Sequence, residues 1–342
     1  MSFAFGIGVG THNQQGDWLE VFYPRPILSP DRRLIDTCAK VLNYPGGNQA
    51  MEPTAEQLTE LATALRQAGL DEQAQLAARF ATATRPLSLT ILETDTTAAS
   101  TPEVYLKLHL ISHRLAKPHQ VKLDGIFGLL PNVAWTSEGA IDLAELPERQ
   151  LSARLAGRPL AVKSVDKFPQ MTDYVVPAGV RIADAARVRL GAYVGEGTTV
   201  MHEGFINFNA GTEGTSMVEG RISAGVVVGR GSDLGGGCST MGTLSGGGNL
   251  VIAVGKNCLI GANAGIGIPL GDRCTVEAGL YITAGTKVAL LDEHNTLVEW
   301  VKARDLANKA DLLFRRNSTS GAVECKTNKT AIELNDQLHA NN

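Results

Sequence analysis

A count of six constrains this chain more than anything else in it. Val176, Ile182, Val188, Val194, Val200 and Ile206 follow at six-residue steps. Four residues after each stands Val180, Ala186, Ala192, Thr198, Gly204 or Ala210, all small or β-branched. After a slip the count resumes at Ile222, Val228 and Leu234, with Val226, Ser232 and Cys238 as partners. After another it resumes at Leu270, Val276, Ile282 and Val288, with Cys274, Leu280 and Thr286. Six is neither the period of a helix nor the alternation of a hairpin strand. It is the period of a parallel β-helix, whose short strands stack coil on coil with the apolar position turned into the bore. Of the chain's 37 glycines, 25 fall between Val176 and Val288, where corners demand backbone angles that other residues resist.

At 342 residues the chain is long for one domain. Three segments are expected: an α/β domain over 1–165, the β-helix over 166–290 and a short C-terminal extension over 291–342. Aromatic content of 5% suits a narrow bore filled by Val, Ile and Ala. A net charge of −4 argues against a protein that binds nucleic acid by neutralising phosphates. No apolar run reaches membrane-spanning length and no basic-then-apolar leader opens the chain, so a cytoplasmic protein with no membrane partner is expected. Cys38, Cys238, Cys258, Cys274 and Cys325 are odd in number and lack metal-type spacing. They read as reduced thiols acting as small apolar groups.

In chain order, residues 2–9 and Trp18–Tyr23 predict a hairpin across Thr11–Asp17. Pro53 and Thr54 start a helix whose face is Leu58, Leu61 and Leu65, and Asp71–Ala83 predicts a second. Leu87–Glu93 reads as a buried strand. Glu103–Ala116 reads as a helix with Val104, Leu108, Ile111 and Leu115 on one side, and Asp124–Trp135 as loop. His109 and His113 stand at i, i+4, a metal-type spacing, but no third ligand matches and a surface or packing role is the better reading. Val165–Tyr174 reads as a connector. Beyond the coils, Leu291–Glu299 reads as a turn into a strand, and Ala331–His339 as a surface helix or strand.

Two stretches break the six-count. Met201–Thr212 carries polar and ionisable residues where other turns are bland. Thr240–Asn249 is a glycine-rich loop expelled from the coil, either the wall of a binding site or a tolerated insertion. His202 is the only histidine between His119 and His294, and Glu203 the only carboxylate between Glu196 and Glu213. Strand alternation would turn one of the pair inward and the other outward.

The repeat resembles that of the hexapeptide-repeat acyltransferases. The resemblance implies a left-handed coil, a homotrimer, a CoA thioester donor and a site in the cleft between subunits. A closer resemblance rests on Met201–Thr212, Met217–Gly225, Gly242–Gly248 and Leu312–Ser318, with Phe5–Gly8 and Leu19–Phe22 near the start. These segments are similar to the tetrahydrodipicolinate N-succinyltransferases, in the longer of that family's two forms. The likeness implies transfer of succinyl from succinyl-CoA to the amine of 2-amino-6-oxopimelate, formed from tetrahydrodipicolinate, in diaminopimelate and lysine biosynthesis.

Carried over by position, Glu203 is the catalytic residue, acting as a base, an electrostatic anchor or a covalent nucleophile. Base or anchor is the more economical chemistry. Gly220 and Ser223 fall in the segment expected to stabilise the thioester oxyanion. Phe205, Asn207 and Arg221 are expected at the substrate. A guanidinium suits a substrate carboxylate bidentately, or Arg221 pairs with Glu219 on the coil surface. The resemblance implies Gly246, Gly261, Ala262, Pro269 and Tyr281 along succinyl-CoA, with Lys302 and Arg304 near its nucleotide end. Lys256, Arg273 and Lys287 would extend a basic strip toward its phosphates. A magnesium ion on the trimer axis is implied without assignable ligands. The N-terminal domain is expected to cover the acceptor site and build trimer contacts.

Two other readings stand beside this one. An acetyl-CoA-dependent N-acyltransferase on a related amino acid keeps the fold and changes the donor. A non-catalytic β-helix scaffold explains the repeat but not the charged turn at His202–Glu203. A γ-type carbonic anhydrase needs three histidines on zinc, and the coils hold only His202.

Overall fold

The computed structural model describes residues 2–242 and 251–327. Two compact units divide the chain: one of 1–116, 120–169 and 173–175, the other of 117–119, 170–172 and the chain from 176 onward. Gly246, most of the glycine loop and Ala331–His339 lie outside the described residues.

In the first unit the strand Ala4–His12 pairs antiparallel with Trp18–Phe22, which forms the expected hairpin, and with Leu87–Leu92. Helices Arg32–Leu42, Ala55–Gln67 and Asp71–Phe80 supply Leu34, Leu58, Leu61, Leu65 and Phe80 to a core shared with Phe5 and Leu89. Thr54 caps the second of these helices through a capping box with Gln57. The first helix was not expected, because its sequence Arg32–Leu42 buries only Leu34 and Cys38.

The helix Thr101–Ser112 departs from its expected amphipathic form: every residue from Pro102 to Ser112 is buried. Leu115, expected on its apolar face, lies past the end and is 41% exposed. The buried polar groups on this helix find partners, as they must. Lys107 Nζ donates to Asp95 at 2.7 Å and to the Lys122 carbonyl at 2.9 Å. His109 Nδ1 meets the Tyr105 carbonyl at 2.7 Å, and its Nε2 accepts the Tyr23 N–H at 3.2 Å. That histidine packs; it is not half of a metal site. Asp124–Trp135, expected as loop, holds the short helix Ile126–Leu129 and leads into the strand Val133–Thr136. This strand is the centre of a three-stranded sheet with Gly139–Asp142 and Val162–Asp166, so the expected connector begins inside a strand.

The second unit is a left-handed parallel β-helix with three faces. Its first face stacks Ile182, Val200, Val218, Leu234, Ile260 and Val276 in one register column. On the second face Ile206 sits on Ile222, and Thr240 on Ile266 and Ile282. The third stacks Val194, Thr212, Val228 and Val254. Except for Ile182, these side chains are buried.

The columns correct the sequence reading in two places. Met201–Thr212 does not break the coil, because Thr212 and Val218 continue the six-count from Ile206. The slips are two contracted corners of four residues, Val218 to Ile222 and Ile266 to Leu270, and one corner lengthened to fourteen by the glycine-rich insertion, Thr240 to Val254, where the other corners of the columns take six. The count also starts later than expected: Val176 is 71% exposed and Ala186 is exposed. At the far end Leu312–Arg316 pairs with Thr275–Val276 and sets Phe314, fully buried, over Val276. All five cysteines are buried and free.

Candidate active site

The corner between the first and second faces carries the charged turn. Met201 N–H bonds to the Val218 carbonyl and Phe205 N–H to the Gly220 carbonyl, at 2.9 and 3.0 Å, pinning both ends to the next coil. Gly204 closes the turn onto the Met201 carbonyl, and a Cβ there would strike the Val218 carbonyl oxygen. His202 and Glu203 therefore sit in a turn, not a strand, and strand alternation does not apply to them. Both point outward, their side chains 75% and 68% exposed.

Glu203 is held from two sides. Its Oε1 lies 3.0 Å from His202 Nδ1, and its Oε2 accepts from Arg187 Nη2 at 3.0 Å. Arg187 Nε also donates to the His202 carbonyl at 3.4 Å. The hydrogen bond and charge of His202, followed by the Arg187 guanidinium, hold the Glu203 carboxyl below the usual carboxylate range. The result is an ionised, oriented carboxylate facing solvent.

The expected substrate residues stand on the outward face beside that corner. The second face sets Phe205, Arg221, Ser239, Gly265 and Tyr281 in one column across successive coils. Arg221 Nη2 donates to Ser239 Oγ at 2.6 Å, so its partner is Ser239 and not Glu219. Asn207 Oδ1 accepts from Arg189 at 3.1 Å, and the Arg189 guanidinium lies 5.9 Å from the Phe205 ring centroid. Ser223 departs from its expected role. Its N–H donates to Thr240 Oγ1 at 3.1 Å and its hydroxyl to the Thr240 carbonyl at 2.6 Å, which leaves neither proton for an oxyanion.

The expected CoA residues are spread over three places. Gly261 and Ala262 occupy the Glu203 corner two coils beyond Gly220, where a Cβ on Gly261 would run into the Ala278 backbone. Tyr281 is 45% exposed, and its ring lies across Gly265 so closely that no Cβ fits between them. Pro269 is buried on a different corner, its carbonyl accepting the Asn308 N–H at 2.9 Å. Lys302 and Arg304 line a cavity of about 1020 Å³ with Lys287, Trp300, Glu299 and Asp305. Lys287 and Lys302 face each other across an antiparallel strand pair. Arg273 leaves the expected basic strip, for it forks onto Asp311 at 2.6 and 2.7 Å. Among the described residues no three His, Cys, Asp or Glu side chains cluster as a metal site would require.

Arg187 and Arg189 are the functional candidates that the sequence reading missed. Each reaches one coil onward, to Glu203 sixteen residues later and to Asn207 eighteen residues later. A search at coil length rather than at local spacing would have found them.

Fold and site together define a transferase built on hexapeptide repeats. The family model described as the hexapeptide repeat of succinyl-transferase matches residues 251–284, and the one described as tetrahydrodipicolinate N-succinyltransferase, middle, matches residues 130–170. Over 341 residues the chain is 70% identical to a 2,3,4,5-tetrahydropyridine-2,6-dicarboxylate N-succinyltransferase of Pseudomonas paraeruginosa, covering 99% of this chain and 98% of that one. It is 62% identical over 340 residues to the enzyme of the same name from Vibrio cholerae, covering 99% of each. A Campylobacter jejuni crystal structure, described as a 2,3,4,5-tetrahydropyridine-2-carboxylate N-succinyltransferase, superposes with a TM-score of 0.87 at 31% identity, over 97% of this chain and 93% of that one. The chain belongs to the tetrahydrodipicolinate N-succinyltransferase family. No helix among the described residues is long and apolar enough to cross a membrane.

Proposed function

We propose that this chain transfers succinyl from succinyl-CoA to the amine of 2-amino-6-oxopimelate, the open form of tetrahydrodipicolinate. The observation that carries the reading is the exposed, doubly held carboxylate of Glu203 beside the outward column that carries Phe205 and Arg221. The acceptor nitrogen attacks the thioester carbonyl and becomes cationic as the N–C bond forms. Glu203 stabilises that charge and accepts the proton, which then leaves with the CoA thiolate as the C–S bond breaks. Gly220 offers the remaining backbone N–H for the oxyanion. Arg221 and Asn207 take carboxylates, with Phe205 beside them. Gly246, Gly261, Ala262, Pro269 and Tyr281 hold the pantetheine side of CoA, and Lys302 and Arg304 its phosphates.

The enzyme is a cytoplasmic homotrimer in this reading, with the site in the cleft between neighbouring subunits. A catalytic carboxylate 68% exposed on the isolated chain is in keeping with a cleft that a second subunit closes. The resemblance also implies a magnesium ion on the trimer axis. No residue of this chain is assigned to it, and no step runs through it.

Thiol release from succinyl-CoA or acetyl-CoA, with 2-aminopimelate as acceptor, tests the proposal. Release from succinyl-CoA alone, and only with acceptor, supports it. Release from acetyl-CoA moves the chain to an acetyl-transferring branch, and silence with both favours a binding scaffold. A succinylated protein isolated before acceptor is added would replace the base role of Glu203 with the covalent one.

A further inference from the structure

The first unit holds a cavity that acyl transfer does not use. It lies on one face of the hairpin Ala4–His12 and Trp18–Phe22, where Val9 stands opposite Phe22 and Thr11 opposite Glu20. Alternate strand residues share a face, so these four side chains turn the same way. Trp135, Ala140 and Tyr174 wall the space above them, about 380 Å³ in volume. That is within the usual range for a small-molecule site. The Trp135 ring is fixed in place by its Nε1, which donates to the Asp166 carbonyl at 2.9 Å.

Glu20 forms the floor and is 7% exposed. Its Oε1 accepts from the Thr11 hydroxyl at 2.6 Å and its Oε2 from the Tyr174 hydroxyl at 3.1 Å. Both donors are neutral, and Glu20 makes no ion pair among the described residues. A buried carboxylate held only by hydroxyls has no cation in contact with it, and the charge of Arg85, acting from beyond the Thr11 hydroxyl, offsets burial only in part. Burial accordingly holds the Glu20 carboxyl above its ordinary range. A primary ammonium would supply what is missing.

The second half of the argument is Arg85. It lines the same cavity, as does Lys163, and both side chains are exposed. Arg85 Nη1 lies 3.5 Å from Thr11 Oγ1, the hydroxyl that also serves Glu20. An acid and a guanidinium thus stand on either side of one hydroxyl. The cavity thus offers opposite charges side by side, and its lining continues over the apolar Val9, Phe22 and Trp135.

We propose that this cavity binds a small α-amino acid with an apolar side chain. The ammonium meets Glu20, the carboxylate meets Arg85 and Lys163, and the side chain lies on Val9, Phe22 and Trp135. Titration calorimetry on the full chain with L-norleucine, hexylamine and hexanoate tests each half. L-norleucine should bind at least about tenfold more tightly than either probe carrying one charge. Glu20→Gln and Arg85→Ala should each weaken it by about tenfold or more. Arg85 is exposed, so its variant folds and decides the matter even if the buried Glu20→Gln does not. No binding of L-norleucine, equal binding of hexylamine or hexanoate, or unchanged binding to Arg85→Ala would each overturn the assignment.

Discussion

Gly220→Ala probes whether the contracted corner sets the position of Arg221. A Cβ on Gly220 would stand 2.5 Å from the Cys238 carbonyl oxygen and press on the Cys238 sulfur. The oxygen distance is about 1 Å inside van der Waals contact. Cys238 is 1% exposed and cannot swing into solvent, so the strand carrying it must shift. Overpacking of this kind costs about 1–3 kcal/mol. The same carbonyl accepts the Arg221 N–H at 2.8 Å, and weakening that bond adds about 1 kcal/mol. The expected loss is therefore about 2–4 kcal/mol, read as a lower urea midpoint at unchanged slope. Because Arg221 hangs from the displaced carbonyl, the acceptor KM should rise by about tenfold while the donor KM holds. A variant as stable as the parent, with an unchanged acceptor KM, would show that the coil absorbs the methyl and would refute the argument.

Three further changes follow from the same geometry. Arg187→Ala removes the second of the two groups that hold the Glu203 carboxyl low, His202 being the larger influence. The acid limb of the kcat/KM profile should move to higher pH and kcat should fall by roughly tenfold through lost orientation, with stability nearly unchanged because the pair is exposed. An unmoved limb would take Glu203 out of the rate. Tyr281→Ala should raise the succinyl-CoA KM by about tenfold and spare kcat, and a rise confined to the acceptor would place the ring elsewhere. Burial pushes His109 down to about 3, so it stays neutral in the folded chain while the unfolded chain gains a proton near pH 6.5. Stability should then fall as pH drops from 7 to 5, by about 2 kcal/mol from this group alone. His113, also lowered by burial, adds to the fall, and Glu20, raised, opposes it. His109→Gln should flatten the slope, and urea unfolding at the two pH values measures it.

Some of this molecule was legible because apolar periodicity survives translation into structure. The hairpin, the Thr54 helix start and the β-helix all came from residue spacing. The Thr101–Ser112 helix was legible as a helix but not in its facing, because a helix buried on every side has no polar stripe to define one. Its Lys107 is tolerated through Asp95 and the carbonyls of Thr96 and Lys122, one segment before the helix and one after it, which no local pattern announces. The coil columns were lost at Thr212 and Thr240 because a threonine looks polar in a sequence, although in the bore its β-branched side chain is buried with its hydroxyl satisfied by backbone groups.

The missed arginines have a different cause. In a solenoid a residue's neighbour is one coil away, so contacts recur at the coil length and not at three, four or two. Arg187 to Glu203 spans sixteen residues, and Arg189 to Asn207 and Arg221 to Ser239 each span eighteen. Arg189 and Arg221 meet residues a full coil of eighteen onward, whereas Arg187 slants back two residues within a coil that is itself eighteen long. The two cysteines Cys258 and Cys274 stand at the shorter spacing, the Cys274 N–H reaching the Cys258 sulfur at 3.3 Å sixteen residues back. Once the corners are placed, an outward side chain has a short list of neighbours one coil away, its register mate and the residues within two of it. A carboxylate such as Glu203 can then be paired with its cation from sequence, which turns the coil count from a fold signature into a means of finding the site.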